Sequence, residues 1–523
     1  MSPMTRPRPS PARPRLSARG WRARAARVGL RASLAALLAC LAPLAPHAPR
    51  GVAPSSARAD APADAPADAP ADAPAAPPEE PPQPYTAVVT AQRPAPLGTH
   101  TRVDADELSM LAPRSAAEAL ALTPGVELNE GPKAGVTLQV RGFDERAVLL
   151  MVEEIPVREV YAGHFDIASL PAFSLGAIDL ERGVTSTLYG PGAAGAIVSL
   201  RAPEGCRERL DLSGLARAAR PAASLWGGRL RACGRRGGLS VFGSAGYERS
   251  AGTPLSSSYR PTALSAPFHE DGGVRDGSDA TRASASLLAR YAPSARGHLS
   301  LYLQGAHAPR AVPPFESAGY TRYWRFSRYD ALLAGLSGRY APAPAAAWGL
   351  REARAQLYTH LHRDELRDYE DLSYSRPTRD PLAWFVASSY ANESAGAAGR
   401  AAWGLGARQR LELSLRYRLD RHAQRELPVP RRGLTPPWRP WERYAAHVAT
   451  VAAEDALRVG AWRVTAGGGV SGLWLLSQEL RGVGYPVLGR AVEGWEGRAV
   501  AERDLGGGLS VMGAAGRKVR FPL

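Results

Sequence analysis

Apolar and polar residues alternate along the chain from about residue 208 onward. Successive side chains of a β-strand point to opposite faces of the sheet, so a period of two residues predicts strands. The clearest alternation lies at residues 411–419, and it recurs at 299–303 and 239–243. In the first of these stretches one face carries Leu411, Leu413, Leu415, Tyr417 and Leu419, and the other carries Arg410, Glu412, Ser414, Arg416, Arg418 and Asp420.

Thirteen strands are predicted from this pattern. They lie at roughly 208–218, 224–233, 239–250, 282–292, 298–307, 329–340, 349–362, 396–405, 410–421, 445–457, 462–475, 494–504 and 509–518. After the first hairpin, short connections alternate with long ones. The long ones are 251–281, 308–328, 363–395, 422–444 and 476–493. Brief turns at one end and long loops at the other are typical of an outer-membrane barrel, in which apolar side chains face lipid, and a soluble sandwich has no reason to alternate so regularly.

Residues 1–59 predict an export signal. They hold eleven arginines and no acidic residue, and an apolar run begins at Leu34. That run is too short to span a membrane as a mature helix, and Ala57-Arg58-Ala59 offers the small-x-small pattern of a signal peptidase site. Leu37–Cys40 also resembles a lipobox, so lipidation of Cys40 stays open. In either case the protein leaves the cytoplasm.

Two further segments precede the predicted strands. Residues 60–84 repeat Ala, Asp and Pro, and we expect an extended spacer that reaches on the order of 80 Å. Residues 85–203 have a mixed pattern, in which Ser115 and Glu118 are spaced as the capping box of a helix that Pro124-Gly125 ends. Short β runs follow at 135–141, 147–152 and 178–182. The sequence therefore predicts a small α/β domain here.

Five motifs of this region carry a family resemblance. They are Tyr85-Thr-Ala-Val-Val-Thr-Ala91, Glu118-Ala-Leu-Ala-Leu-Thr-Pro-Gly-Val126, Gln139-Val-Arg-Gly-Phe143, Ile178-Asp-Leu-Glu-Arg-Gly-Val184 and Leu188-Tyr-Gly-Pro-Gly-Ala-Ala-Gly-Ala-Ile-Val198. In order and spacing they are similar to the plug domain of TonB-dependent receptors. Each motif alone is weak, but the ordered set is specific. In this family a small plug domain fills a barrel of about 22 strands.

The resemblance implies a mainly β fold, with a small α/β plug domain followed by an antiparallel transmembrane β-barrel. The implied segments are a signal peptide at 1–59, an Ala/Asp/Pro-rich periplasmic linker at 60–84, a TonB box at 85–91, the plug domain at 92–205 and a partial barrel at 206–523. About 13 of the 22 expected strands are present. Arg520-Phe-Pro-Leu523 is similar to a motif that lies mid-barrel in the family. Because an open sheet edge leaves backbone groups unpaired in lipid, we expect a truncated or split gene product or a partial sequence.

The resemblance also assigns residues. The energy-transducing protein TonB would contact Tyr85, Thr86, Ala87, Val88, Val89, Thr90 and Ala91, a segment able to add as an edge strand to a partner's sheet; the alternative is an ordinary first plug strand. The plug motif comprises Pro124, Gly125, Arg141, Gly142, Phe143, Arg182, Gly183, Tyr189 and Gly190. Its two arginines either face acidic residues of the barrel lumen or form ion pairs within the plug.

Two departures from the family pattern affect the plug. Glu153-Glu154 stands where the family usually has Asp-Gly, so we expect a different or longer turn before Ile155-Pro156. The final plug strand, residues 195–202, lacks the usual Asn and Thr.

The best candidate for ligand contact is a loop at the plug apex. The residues predicted to bind ligand there are Arg158, Tyr161, His164 and Asp166, and the alternative is a solvated plug loop. His360 and His362 lie on the polar face of one strand, where they could bind metal or haem iron but more simply face the lumen. Four aromatic residues fall in predicted loops, and membrane-interface girdle positions are favoured over ligand platforms for them. They are Tyr320, Tyr323, Trp324 and Trp438.

A disulfide is predicted between Cys206 and Cys233. Antiparallel pairing about a turn near residues 219–223 brings them roughly opposite each other at the same end of the first two strands. The secretion signal places both in an oxidising compartment, where paired cysteines persist.

Charge and motifs exclude other classes. The net charge is +16, but much of it belongs to the leader and no basic run interleaved with aromatics follows, so nucleic acid is not expected as a partner. No nucleophile–base pair, metal-ligand spacing or phosphate loop is present, so we expect neither an enzyme nor a cofactor. The expected function is TonB-energised uptake of a scarce small-molecule or metal-chelate ligand across the outer membrane, with siderophore, cobalamin, haem and oligosaccharide all open. The alternatives are a non-transporting remnant or half of a split receptor, and a passive or adhesive barrel.

Overall fold

A computed structural model describes residues 100–131, 133, 135–158, 160, 165–203, 209–219, 223–261, 270–314, 321–342, 349–430, 434, 436–480, 483–485, 491–507 and 509–521. All of them belong to one unit, Pro96–Leu523. The predicted signal peptide, linker and TonB box lie outside the described residues and stay predictions. Within the part of the chain that the structure describes, no helix is long and apolar enough to cross a membrane.

Residues 100–203 form a small α/β domain. Its helices are α1 (Ala105–Leu111) and α2 (Ala116–Ala121), and its strands are β1 (His100–Val103), β2 (Val126–Glu130), β3 (Val136–Val140), β4 (Val148–Val152), β5 (Ile155–Pro156), β6 (Ala177–Arg182) and β7 (Ala196–Arg201). Five strands pair in the order β1-β6-β7-β4-β5, with β4 parallel to β7, and β2 and β3 form a separate hairpin. Short 3₁₀ turns, including Ile167–Ser169 and Thr187–Tyr189, connect them.

The predicted helix is present as α2. The Ser115 hydroxyl accepts a hydrogen bond from the amide of Glu118 at 3.3 Å, which is the expected N-cap. The Glu118 carboxylate accepts from the backbone amide of Arg114 rather than from that of Ser115, at 2.9 Å, so the reciprocal half of the capping box is displaced by one residue. The first helix, α1, was not predicted; its signal is the N-cap Asp104 followed by two acidic residues.

The turn at Glu153-Glu154 has two residues, because β4 ends at Val152 and β5 begins at Ile155, which pair directly. The expectation of a longer turn is therefore wrong, and a turn that differs from the family's stays a prediction. Both glutamates have left-handed backbone angles, with φ of 49° and 64°, as a two-residue hairpin turn of this type requires. Side-chain contacts hold this costly conformation in place: the Glu153 carboxylate accepts from the amide of Ala202 at 2.6 Å.

A second, larger sheet follows, which we call the wall. Its strands are β8 (Arg209–Ala219), β9 (Ala223–Arg236), β10 (Leu239–Ser250), β11 (Ala280–Ser294), β12 (Gly297–His307), β14 (Tyr323–Tyr340), β15 (Leu350–Tyr369), β16 (Ala387–Leu405), β17 (Gln409–Leu427), β18 (Glu442–Val459), β19 (Trp462–Leu480), β21 (Ala491–Gly506) and β22 (Leu509–Arg517), with short β13 (Arg310–Val312) and β20 (Val483–Tyr485) beside them. Each strand pairs antiparallel with its neighbour in chain order. The thirteen predicted strands all coincide with these long strands, and the mainly β fold with a partial barrel is confirmed.

The observed strands are longer than predicted, chiefly at the ends where the long connections join. Strand β15 was predicted to end at residue 362 and continues to Tyr369. Its additional outward-facing positions are Arg363, Glu365 and Arg367, which break the apolar pattern while the backbone ladder to β14 continues. Hydrophobic alternation therefore marks only the part of each strand that faces an apolar environment.

The wall has its apolar side chains outside and its polar side chains inside. On β17 the side chains of Leu413 and Leu415 are 43% and 60% exposed, whereas Glu412 and Ser414 are each 4% exposed. A soluble sandwich would bury the leucines, whereas this inversion is the pattern of a barrel wall whose outer face meets lipid. The inner face covers the small domain, whose core residues, among them Leu120, Val140 and Ile178, are almost fully buried.

Candidate functional site: the plug–wall interface and the lumen

The small domain is fastened to the wall near the end that carries the short turns. Glu454 of β18 is 3% exposed and accepts three hydrogen bonds at one carboxylate oxygen. The donors are the hydroxyl of Ser186 at 2.8 Å and the amide and hydroxyl of Thr187 at 2.6 and 3.0 Å. We call this group, with Arg498, the turn-end anchor. It joins residues more than 260 positions apart in the chain.

Two basic residues, Arg498 and Lys518, lie close to the contact between Glu454 and the small domain. The guanidinium of Arg498 lies 3.6 Å from Glu454 and 3.9 Å from Glu181 of the small domain. Beyond β22, the Lys518 ammonium donates to the carbonyl of Ser186 at 2.9 Å and lies 3.8 Å from Glu496. Paired charges of this kind stabilise a buried contact only when all partners are present. The contact is therefore polar, specific and sensitive to the loss of one member.

The next residues of the small domain continue along the same part of the wall. Tyr189 lies between Arg400 and Arg416, whose guanidinium carbons are 5.9 and 5.8 Å from its ring centroid. Gly190 has φ of 74° and lies against Thr450, where an added Cβ would stand 2.8 Å from the threonine hydroxyl. Only glycine fits both restrictions, so this glycine serves close packing of the domain on the wall.

Arg182 follows neither predicted alternative fully, and the role of Arg141 stays a prediction. Arg182 donates to the carbonyl of Pro124 and to the hydroxyl of Thr101, both within the small domain. Burial, together with the neighbouring Arg141, lowers the pKa of Arg182. Among the described residues no lumen carboxylate pairs with it. The partners of Arg182 thus lie within the small domain, as the alternative of ion pairs within the plug predicts. They are neutral oxygens, however, and not carboxylates.

Charged side chains reinforce the pairing of the edge strand β1 with β6. The Asp179 carboxylate of β6 lies 3.3 Å from Arg102 and 3.5 Å from His100 of β1, and 2.8 Å from Arg201 of β7. Burial opposes ionisation of Asp179, but these partners outweigh it and hold its pKa below the usual range. Its contribution to stability is therefore present above the ordinary aspartate pKa of about 4 and is lost as the pH falls further.

A second fastening lies toward the end that carries the long loops, and we call it the loop-end anchor. The Asp166 carboxylate of the small domain lies 3.0 Å from the Arg310 guanidinium of β13, and both residues are buried. The same carboxylate accepts from the amides of Val136 and Ala168 at 3.0 and 3.2 Å. Arg310 is enclosed by the rings of Phe326 and Tyr329, at 4.8 and 4.4 Å.

The structure describes two of the four predicted ligand residues, Arg158 and Asp166. Tyr161 and His164 lie outside the described residues. Asp166 is 7% exposed and is taken up by the loop-end anchor. Arg158 is half-buried and lines a small cavity with Arg146, Phe165 and Gly192. The structure brings Asp166 to the wall rather than to an open apex, and ligand contact by the four residues stays a prediction.

His360 and His362 both face inward, as predicted for polar lumen residues. Their rings lie 5.7 and 6.2 Å from the ring of Phe165, and His362 lies 4.6 Å from Tyr329. Within the described residues no group of three or more His, Cys, Asp or Glu side chains is arranged to hold a metal ion. The pair therefore packs against the small domain beside the loop-end anchor.

Four polar side chains of the lumen form a group of which the sequence analysis singled out only His362. His362, Asn392, His422 and Tyr444 are direct neighbours across β15, β16, β17 and β18, and we call them the lumen belt. His422 Nδ1 lies 2.7 Å from the Asn392 amide oxygen. The tip of the β2–β3 hairpin brings Lys133 to within 5.1 Å of the neighbouring Tyr390 ring. Strand register was the missing information, since each of these residues alone looks like any inward polar position.

The predicted girdle aromatics differ in their placement. Tyr320 lies outside the described residues, and Tyr323 is half-buried at the start of β14. Trp324 is 5% exposed and stacks on Phe385 at 5.7 Å, so it belongs to a buried cluster and not to an exposed girdle. It lies where the wall strand extends into the predicted loop, which is why alternation did not reveal its orientation. Trp438 lies beside Arg425, 4.4 Å from the guanidinium.

Of the two cysteines in the predicted disulfide, only Cys233 lies within the described residues. Cys233 is disulfide-bonded and pairs in the sheet with Arg209 of β8. Its partner lies outside the described residues, as do both other cysteines of the chain, Cys40 and Cys206. Pairing of Cys206 with Cys233 therefore stays a prediction.

Comparison with known proteins decides the family of the small domain. Residues 95–197 match the family described as TonB-dependent Receptor Plug Domain. This stretch is a plug domain of the TonB-dependent receptor type. The family resemblance drawn from the five motifs is confirmed, and the small domain is called the plug from here on.

Relatives and solved structures agree with this assignment. The vitamin B12 transporter BtuB of Vibrio vulnificus is 28% identical over 123 residues, 22% of this chain and 20% of the relative. BtuB of Photobacterium profundum is 29% identical over 107 residues, 20% of this chain and 17% of that protein. The copper transporter OprC has a similar fold, with a TM-score of 0.63 at 14% identity over 82% of this chain and 64% of its own length. The ferric citrate transporter FecA has a TM-score of 0.60 at 14% identity, covering 80% of this chain and 62% of its own.

The chain covers only part of the length of each of these proteins. The matched part spans about a fifth of the curated relatives, and the chain spans less than two thirds of these solved structures. The relatives are transporters and receptors of the outer membrane rather than enzymes. The likeness to the solved structures shows the fold.

Proposed function

We propose that the chain is a TonB-coupled receptor of the outer membrane that takes up a scarce ligand such as a siderophore-iron complex, cobalamin or haem. One observation supports this above the others: a family plug is seated on the polar inner face of a wall whose outer face is apolar. A water-filled pore needs no such filling, whereas a gated transporter does. The plug and the N-terminus would lie on the periplasmic side, where the short turns of such walls are found.

The plug–wall contacts suit a plug that must move. The turn-end and loop-end anchors consist of ion pairs and hydrogen bonds, which exchange for bonds to water when the partners separate. Force applied by TonB at residues 85–91 would reach the plug through β1, the edge strand that follows. These polar anchors would keep the plug in one register at rest, and their bonds would be replaced by bonds to water on release.

The ligand would be received at the loop end of the lumen. The apex residues Arg158, Tyr161, His164 and Asp166 were predicted from sequence, and we add Lys133 and the lumen belt on the strength of their shared position. Together they offer cations, aromatic rings and hydrogen-bonding side chains, which is the composition of a site with a few placed polar groups. The names of the curated relatives make cobalamin the first ligand to test.

Deleting residues 85–91 tests the coupling to TonB. We expect ligand binding to the cell surface to be retained and energised uptake to fall roughly tenfold or more, because the plug can no longer be pulled. Uptake of radiolabelled cyanocobalamin and of iron-loaded siderophores measures this in cells that lack their own receptors. The matched control deletes residues 63–69, which shortens the spacer by the same number of residues and keeps the box.

Each other outcome points to a different function. Uptake that is unchanged by the deletion would mean a passive barrel. Binding without uptake in the intact chain would favour a non-transporting remnant or half of a split receptor.

A further inference from the structure

The outer surface of the wall changes character sharply along β17. Its outward side chains are apolar from Leu411 to Leu419, and the next outward positions are Arg421, Ala423 and Arg425. At about 3.4 Å per residue the apolar stretch spans on the order of 27 Å along the strand, close to the height of a barrel's lipid-facing band once the strand is tilted. The arginines therefore begin where the apolar band ends, on the side of the long loops.

The neighbouring strands complete a basic cluster around Ala423. In the sheet Ala423 pairs with Arg443 of β18 on one side and with Ala391 of β16 on the other. Arg421 and Arg425 are the diagonal neighbours of Arg443, within reach of long side chains. The small side chains of Ala391 and Ala423 thus lie between the three arginines. We call Arg421, Arg425 and Arg443 the arginine triangle.

The charges of the arginine triangle are not cancelled by its surroundings. Arg443 donates to Glu479 at 2.7 Å, and Glu393, the sheet neighbour of Arg421, lies 3.5 Å from Arg363. Arg421 is exposed, and the described residues offer it no ion pair. The guanidinium of Arg425 lies 4.4 and 4.5 Å from the rings of Trp438 and Trp441. Four arginines therefore face two carboxylates, and a positive excess remains.

We propose that the arginine triangle binds the phosphate groups of a lipid A headgroup in the outer leaflet of the outer membrane. Three features support that occupant. The cluster faces outward, away from the lumen and its ligand; it lies directly above the apolar band, at headgroup height; and tryptophans flank it, as they do at membrane interfaces. Guanidinium forks match phosphate oxygens in geometry and charge, and they lose less to desolvation than ammonium groups do.

This inference rests on the proposed function only for the location of the wall in the outer membrane. It needs neither TonB nor a transported ligand. Failure of uptake in the deletion experiment would therefore leave it standing, and failure of lipid binding would leave the uptake proposal standing.

Lipid binding by the full chain tests the proposal. The protein is purified in detergent micelles and titrated with lipid A, and bound lipid is counted by native mass spectrometry. We expect Arg421→Gln/Arg443→Gln to weaken lipid A binding roughly tenfold or more, because charge-assisted hydrogen bonds to phosphate are lost at two positions. Arg421→Lys/Arg443→Lys keeps the charge but loses the bidentate fork, so this variant should bind lipid A more weakly than the unchanged protein and more tightly than the glutamine variant.

The matched control is Arg503→Gln at the opposite rim. Arg503 also lies against a tryptophan, 5.4 Å from the ring of Trp462, but at the short-turn end of the wall. It should bind lipid A like the unchanged protein. Equal losses in the control and the test variant, or no loss in either, would overturn the proposal. Equally tight binding of phosphatidylglycerol would also overturn it, because the cluster would then be a generic anion-binding surface. Full displacement of lipid A by inorganic phosphate at equal concentration would overturn it as well, because the cluster would then be a site for free phosphate.

Discussion

Replacing Glu454 with alanine will loosen the plug at the turn-end anchor. The change removes the acceptor of three hydrogen bonds from Ser186 and Thr187 and leaves Arg498 buried without this counter-charge. Breaking a buried pair from one side typically costs about 3–5 kcal/mol. We expect the urea midpoint for proteolytic cleavage of the plug to fall accordingly, measured on the full chain in detergent micelles.

The control for this prediction is Glu393→Ala. Glu393 also pairs with an arginine, but its side chain is 39% exposed on the outer face of the wall. Exposed pairs contribute about 0–1 kcal/mol, so this variant should unfold near the unchanged protein. If Glu454→Ala left the midpoint where Glu393→Ala leaves it, the turn-end anchor would not fasten the plug.

The second large effect is expected at the loop-end anchor. Asp166→Ala removes the counter-charge of Arg310, which is enclosed by two aromatic rings, and it removes the acceptor of the Val136 and Ala168 amides. An uncompensated buried charge again costs about 3–5 kcal/mol. Hydrogen exchange followed by mass spectrometry should show faster exchange in peptides that contain Val136 and Ala168.

The same measurement distinguishes a local from a general effect. Peptides from β6 and β7 should keep their exchange rates, because Asp166 does not contact them in the sheet. Asp211→Ala serves as the control variant, since its partner Arg209 is 73% exposed on β8. Unchanged exchange at Val136 and Ala168 in Asp166→Ala would show that these amides do not depend on the carboxylate.

The strands could be predicted from sequence because their pattern is local. Leu411 to Leu419 alternate with polar residues in a way that only a strand satisfies, and connection lengths supplied the barrel. The strand ends were placed less well, as at Tyr369, because alternation records the surroundings of a side chain and not the backbone ladder. A longer turn at Glu153-Glu154 was one of two expectations and is wrong; the contact of Glu153 with Ala202, which supports the short turn, lies 49 positions away in the chain and leaves no local signal.

The anchors could not be predicted from sequence in the same way. Glu454 meets Ser186 across 268 positions, and Tyr329 meets Asp166 across 163. Such contacts depend on how the plug is rotated within the wall, which no local pattern records. Asp166 was singled out as a candidate ligand residue of the plug apex loop, but a carboxylate gives no sign in sequence of whether it will meet a ligand or an arginine.

A designed disulfide tests the central claim, that the plug is seated against the inner face of the wall. Ile155 of the plug is fully buried, and its Cγ1 lies 3.3 Å from the position that a Cβ at Gly335 of β14 would take. A cysteine sulfur in place of Ile155 would lie near that Cγ1 position, within reach of a cysteine introduced at Gly335. We predict that Ile155→Cys/Gly335→Cys cross-links on oxidation of the full chain, shown by a reductant-sensitive shift in electrophoretic mobility. Ile155→Cys/Leu336→Cys should not, because Leu336 faces outward and is 42% exposed. Cross-linking of the second pair, or of neither, would contradict the seated plug.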